Sequence, residues 1–149
     1  MSNFFTDGRL GLTAELQGDP QIDARVKTWF DYGPGLVRSH DLEPALCPLL
    51  SVAPSQGAQA YIANLEREVS QRLAVRVATC GQDAAPCEEL AALVVGRVEA
   101  CNADVLGLGP DGLAALRVRE VSWSSEAARD GGRLIWTAAV EVELLWRRT

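Results

Sequence analysis

The stretch Arg133-Leu134-Ile135-Trp136-Thr137-Ala138-Ala139-Val140-Glu141-Val142-Glu143-Leu144-Leu145-Trp146-Arg147 decides the fold. Leu134, Trp136, Ala138, Val140, Val142, Leu144 and Trp146 share one parity. Arg133, Thr137, Glu141, Glu143 and Arg147 share the other, with Ile135, Ala139 and Leu145 among them. A β-strand points successive side chains to opposite faces, so this pattern predicts one apolar face and one mostly wet face. No Gly or Pro interrupts it. Fully extended it would run roughly 50 Å, well beyond a strand of about five or six residues. A sheet built on such a strand is expected to reach past its own core, which points to assembly.

Around this strand the chain has 149 residues, 48% of them hydrophobic and 23% charged. That is room for one domain, 1–149, with a true core, and too much apolar content for disorder. The formal net charge of -6 argues against a nucleic-acid reader, which needs a basic patch. The start, Met1-Ser2-Asn3-Phe4-Phe5-Thr6-Asp7, lacks the basic and apolar segments of a secretion signal. No stretch approaches the roughly 18 apolar residues of a membrane-spanning helix. The expected compartment is cytoplasmic, with no membrane partner. Cys47, Cys80, Cys87 and Cys101 include no Cys-x-x-Cys pair, and His40 is the single histidine. Free thiols, and no metal, are the expectation.

Taken in order, Thr6-Asp7-Gly8 predicts the cap of a short helix running to about Gln17 and ended by Gly18-Asp19-Pro20. Ala24 to Tyr32 alternates as a strand and stops at Gly33-Pro34-Gly35. Leu36 to Glu43 is a loop. Pro44 to Val52 is a short strand whose prolines belong at a sheet edge or at strand ends. Pro54 to Ala60 is a turn or loop. Leu65 to Thr79 is a second long strand, polar on both sides in its early half. Asp83-Ala84-Ala85-Pro86 opens the main helix, with Leu90, Leu93, Val94, Val98 and Cys101 as its buried stripe and Arg97 at the margin. Ala115 to Ser124 is a strand whose apolar parity switches near Arg119-Glu120, as a β-bulge would make it. Glu126 to Gly132 connects it to the final strand. The expected architecture is α+β, a mainly antiparallel sheet of four to five strands with two helices packed on one face.

Few residues are arranged for chemistry. Ser39, His40 and Asp41 are adjacent, whereas a catalytic triad converges from separate segments. Gly107-Leu108-Gly109-Pro110-Asp111-Gly112 has no Lys and leads into a strand, so it lacks the parts of a phosphate cradle. Glu141 and Glu143 share a strand face with Cβ atoms about 7 Å apart, and Arg117 and Arg119 on the neighbouring strand are placed to pair with them. No catalytic residue, cofactor site or metal site is assigned. Four tryptophans, Trp29, Trp123, Trp136 and Trp146, are many for this length. Trp136 reads as core. Trp29 and Trp146 are balanced between core filling and an interface, where Trp is favoured.

This order of elements resembles the tail terminator, or tail completion, proteins of long-tailed bacteriophages. The resembling pieces are the short helix ended by Gly18-Asp19-Pro20 and the strand Ala24–Tyr32. Next come the proline-bracketed Leu42-Glu43-Pro44-Ala45-Leu46-Cys47-Pro48, the long strand and the main helix. The final hairpin closes in Glu141-Val142-Glu143-Leu144-Leu145-Trp146-Arg147-Arg148-Thr149. The resemblance spans nearly the whole chain as element order and texture. It implies a homo-hexameric ring that caps the tail tube, ends its polymerisation and joins the tail to the neck. The implied partners are further copies of the chain, the major tail tube protein and a head–tail joining or neck protein. DNA would pass through the ring without specific binding. The implied place is the tail or neck of a virion assembled in host cytoplasm. Loops at Leu36–Glu43 and Pro54–Asn64 vary in such families, so partner contacts do not carry over. Two other readings are another neck ring, such as a head–tail joining or stopper protein, and a small α+β enzyme or ligand-binding domain. On the first reading Trp29, Trp146 and Arg147 are the expected subunit or partner interface, with the end of the last strand projecting beyond its shorter hairpin partner.

Overall fold

A computed structural model describes residues 4–31, 47–54, 60–61, 67–101, 113–127 and 134–148. The elements run α1 (Phe4–Gln17), α2 (Pro20–Arg25), β1 (Thr28–Asp31), β2 (Leu49–Pro54), β3 (Ala60–Tyr61), β4 (Arg67–Gly81), α3 (Ala85–Ala100), β5 (Leu113–Ala127) and β6 (Leu134–Arg148). The sheet order is β1-β2-β4-β6-β5, with β3 on β4 beside that path. Every pair is antiparallel except β1 with β2. The fold is α+β, as its alternation predicts.

The long final strand is the centre of this sheet rather than an overhang. β6 pairs with β4 from Leu134↔Gly81 to Arg148↔Arg67. On its other side it pairs with β5 from Leu134↔Ala127 to Trp146↔Leu113. β4, β5 and β6 are each 15 residues long, so neither neighbour is short. The expected projecting end is therefore corrected: β6 is paired on both sides as far as Trp146, and Arg147 and Arg148 are paired with β4. The early, polar part of β4 is strand too, held between β6 and β3 at Val69 and Ser70. The parity switch near Arg119 is a register shift between Val118 and Glu120, as the sequence pattern foretold.

One face of the sheet carries the main core. Leu50 and Val52 of β2, Leu73, Val75 and Val77 of β4, Leu116 of β5, and Val140, Val142 and Leu144 of β6 meet the helices. The helices contribute Leu12 and Leu16 from α1, Ile22 from α2, and Cys87, Leu90, Ala91, Val94 and Val98 from α3. At roughly 25 cal/mol for each Å² of apolar surface withdrawn from water, this contiguous cluster is the main stabilising element. Glu15 of α1 accepts a 2.7 Å charged hydrogen bond from Arg97 of α3 and a 3.5 Å one from the Cys101 thiol, tying the two helices at their margin. The second face is wet only in part: Leu49, Ser51, Ala53, Ala78, Ile135 and Glu143 are buried there, while Arg76, Arg117, Arg119 and Glu120 are exposed.

The elements depart from expectation in three places. Gly18-Asp19-Pro20 ends α1 and at once begins α2, because Asp19 Oδ1 accepts from the Gln21 and Ile22 amides and Pro20 sits in the first turn. The predicted strand from Ala24 therefore starts only at Thr28. Gly8 lies inside α1 rather than at its cap. β2 begins later than expected, at Leu49, and is internal; of the two prolines in the expected segment, Pro48 directly precedes the strand, its carbonyl accepting from the Lys27 and Thr28 amides, and Pro44 lies outside the described residues.

Candidate functional site

On the second face, the Glu143 carboxylate of β6 gathers charged partners from the strands on both sides, β4 and β5. Arg117 Nε of β5 donates to Glu143 Oε1 at 2.8 Å, and its Nη2 donates to the same oxygen. Arg119 Nη1 reaches Oε2 at 2.9 Å and the Ser70 hydroxyl of β4 donates to it at 3.1 Å. Arg72 stands 3.6 Å from Glu143 Oε2 and 3.7 Å from Glu141 Oε1. Strand register makes this meeting: Glu143 is flanked by Arg72 on one side and Arg117 on the other. The bulge brings Arg119 within reach as well. Burial of the Glu143 carboxyl opposes its charge, but hydrogen bonds from Arg117, Ser70 and Arg119 prevail and hold it below the usual carboxylate range. The expected pairing of Arg117 and Arg119 with this strand is thus present, and it is a buried acceptor rather than a surface contact.

At the far end of β6, Trp146 is 4% exposed and its indole donates to Gln71 Oε1 at 3.0 Å. α1 crosses this pair at Gly8. A Cβ there would lie 2.6 Å from Gln71 Oε1 and 3.0 Å from both Leu144 and Trp146. The placement of Trp146 at an exposed strand end is thereby corrected: it fills the core beneath a helix. Trp29, opposite Leu50 in β1–β2, is half-buried and packs on the same core. Arg147 pairs with Glu68 in the β4–β6 register, and its side chain lies outside what the structure describes.

The sequence pattern did not single out Trp123. It is on β5, at the edge of the sheet, and is 55% exposed. An open groove of about 590 Å³ runs beside it along α3, lined by Glu88, Glu89, Ala91, Ala92, Val95 and Val121. Across the sheet, a concavity of about 310 Å³ is lined by Ser51, Arg76, Ser122, Ser124, Thr137 and Ala139 among others. The signal that could have found Trp123 is its parity past the bulge, which sets it on the helix side of an outermost strand.

Cys47, Cys80, Cys87 and Cys101 are free thiols. Burial, with Cys80 and Cys87 nearby, pushes the Cys47 thiol up to about 11. Among the described residues, no group of three His, Cys, Asp or Glu side chains is placed to hold a metal ion. No described helix is long and apolar enough to cross a membrane. His40 with Ser39 and Asp41, the Gly107–Gly112 run and the Glu126–Gly132 connection lie, wholly or mainly, outside the described residues.

No protein-family model matches the chain, and no curated protein matches it. Among solved structures, it is similar to a chain of the virion of a native gene transfer agent particle. That likeness has a TM-score of 0.62 at 16% sequence identity and covers 93% of this chain and 96% of the other. At this identity the likeness is one of fold, shared from end to end.

Proposed function

We propose that this protein is a structural subunit of a phage-like virion, and within it a tail terminator: a ring that caps the tail tube, ends its growth and offers a surface to the neck. The observation that supports the virion reading is the fold shared almost end to end with a chain of a gene transfer agent particle. The tail-terminator reading adds to this the element order from the first helix to the final hairpin. In such an assembly the partners are further copies of the chain, the tube protein and a neck protein, and DNA passes through the ring.

The charged cluster fits a structural part better than a catalytic one. A general base needs a lone pair within reach of substrate, whereas the buried Glu143 carboxylate is engaged by Arg117, Arg119 and Ser70. Its effect is to fix the register of three strands.

Particles assembled without this protein test the reading. Over-long tails are expected on electron micrographs. Tails of normal length that remain unattached to heads would assign the protein to a joining ring instead. Particles indistinguishable from those containing the protein would overturn the structural role.

A further inference from the structure

Two surfaces on opposite sides of the sheet are complementary to each other. The first is the β5 corner on the helix side. Trp123, on that corner, is 55% exposed. Trp123 lies beside Glu88 and Glu89, both exposed in the first turns of α3 and in no ion pair among the described residues. The β5 strand carries it on the outer edge of the sheet, where among described residues β5 pairs only with β6. A long strand edge of this kind is a surface that proteins cover or pair.

The second surface is the concavity on the other face. Arg72, Arg117 and Arg119 there are engaged by Glu143. Arg76 is exposed, borders the concavity and forms no ion pair among the described residues. Ser51, Ser122, Ser124 and Thr137 line the concavity together with apolar Leu49 and Ala139, and Trp123 borders it as well. One surface is thus apolar with two unmatched carboxylates, and the other is concave with an unmatched guanidinium.

We infer that the Trp123 corner with Glu88 and Glu89 docks onto the Arg76-bearing face of a second copy of this chain. This rests on the ring reading above and names the contact that would build the ring. Because Glu88 and Glu89 lie on the helix side and Arg76 on the other face, the contact is head-to-tail. Such contacts propagate from copy to copy and close into a ring when the rotation allows. Arg76 would lie within reach of both the indole face and the two carboxylates, combining cation–π and ionic attraction. Added salt should weaken it, since exposed charges are screened over about 8–10 Å at ordinary ionic strength.

The test is charge exchange read by sedimentation velocity and light scattering, on the full chain alone and with tail tubes. Arg76→Glu and the double variant Glu88→Arg/Glu89→Arg should each weaken association about tenfold or more. The triple variant carrying both reversals should recover most of it. Glu88→Gln/Glu89→Gln, which removes charge without opposing the α3 dipole, should weaken it less, and circular dichroism checks that each variant folds. A wild-type ring indifferent to all four would overturn this contact and leave the ring reading standing. Failure of the triple variant to recover would show that these charges do not face each other. A chain that stays monomeric even with tube protein would overturn both the ring and the contact.

Discussion

Two tryptophans on neighbouring strands of one sheet have opposite environments. Trp146 sits under α1, its indole N–H satisfied by Gln71 and its ring edge against Gly8. Trp123 sits on the outermost strand beside α3, more than half exposed. Both lie on the helix side, and what separates them is cover. α1 passes over the end of β6 closely because Gly8 has no side chain, whereas α3 leaves a groove next to β5. The buried ring specifies the fold, and the exposed one is available for contact. A large aromatic therefore reports on an interface only after the helix layer has been placed over it.

The sharpest way to break this contrast is Trp146→Ala. It removes a fully packed ring and the indole donor to Gln71 Oε1, so it should lower stability by about 3–5 kcal/mol. Urea unfolding followed by circular dichroism measures it; a change under about 1 kcal/mol would show the ring is not core. Gly8→Ala attacks the same contact from the helix. Alanine favours a helix over glycine, yet the new methyl must displace Gln71 and press on Leu144 and Trp146. Overpacking should prevail, with a net loss of about 1–3 kcal/mol in the same assay.

Glu143 lies between these extremes, a charged residue that is buried because it is shared. Glu143→Gln keeps the shape and removes the charge that Arg117 and Arg119 approach, so a loss of about 1–3 kcal/mol at neutral pH is expected. Its folded-state pKa is depressed. The stabilisation it contributes is thus fully present above the unfolded value of about 4.3, and is lost as pH falls through the lower folded value. The wild type and Glu143→Gln should therefore converge in stability in acid and diverge above about pH 5. Parallel stability curves across that range would show that the carboxylate's charge is not what holds the three strands.

Much of this was legible in the chain. The unbroken alternation of Leu134–Trp146 specified a long strand and its core face, though not its central place in the sheet; the parity switch at Arg119 specified the bulge, and Arg117 with Arg119 pointed to their acidic partner. What was hidden depended on packing between distant segments. Six residues from Pro20 are too few for helical periodicity to show, so α2 was signalled only by the Asp19-Pro20 cap. Nothing adjacent to Trp146 announces that Gly8, far away in sequence, closes over it. Strand parity places a side chain on a face but is silent on whether a helix covers that point, and that is why Trp29 and Trp146 stood balanced between core and interface while Trp123 was given no role.

The smallest expected effect on stability sharpens the comparison furthest. Trp123→Phe changes a side chain that is already 55% exposed, so unfolding free energy should shift by less than about 0.5 kcal/mol. Fluorescence should shift far more than stability does. Trp29 and Trp136 are half-buried and Trp146 is buried, which leaves Trp123 as the indole most open to a quencher. Acrylamide quenching of the monomer should fall sharply in Trp123→Phe and barely at all in Trp29→Phe. In an assembled ring the wild-type protein should lose this quenchable component without any substitution, because a neighbouring copy would cover the indole. Persistence of full quenching in the ring would leave Trp123 exposed there and move the contact between copies to another surface.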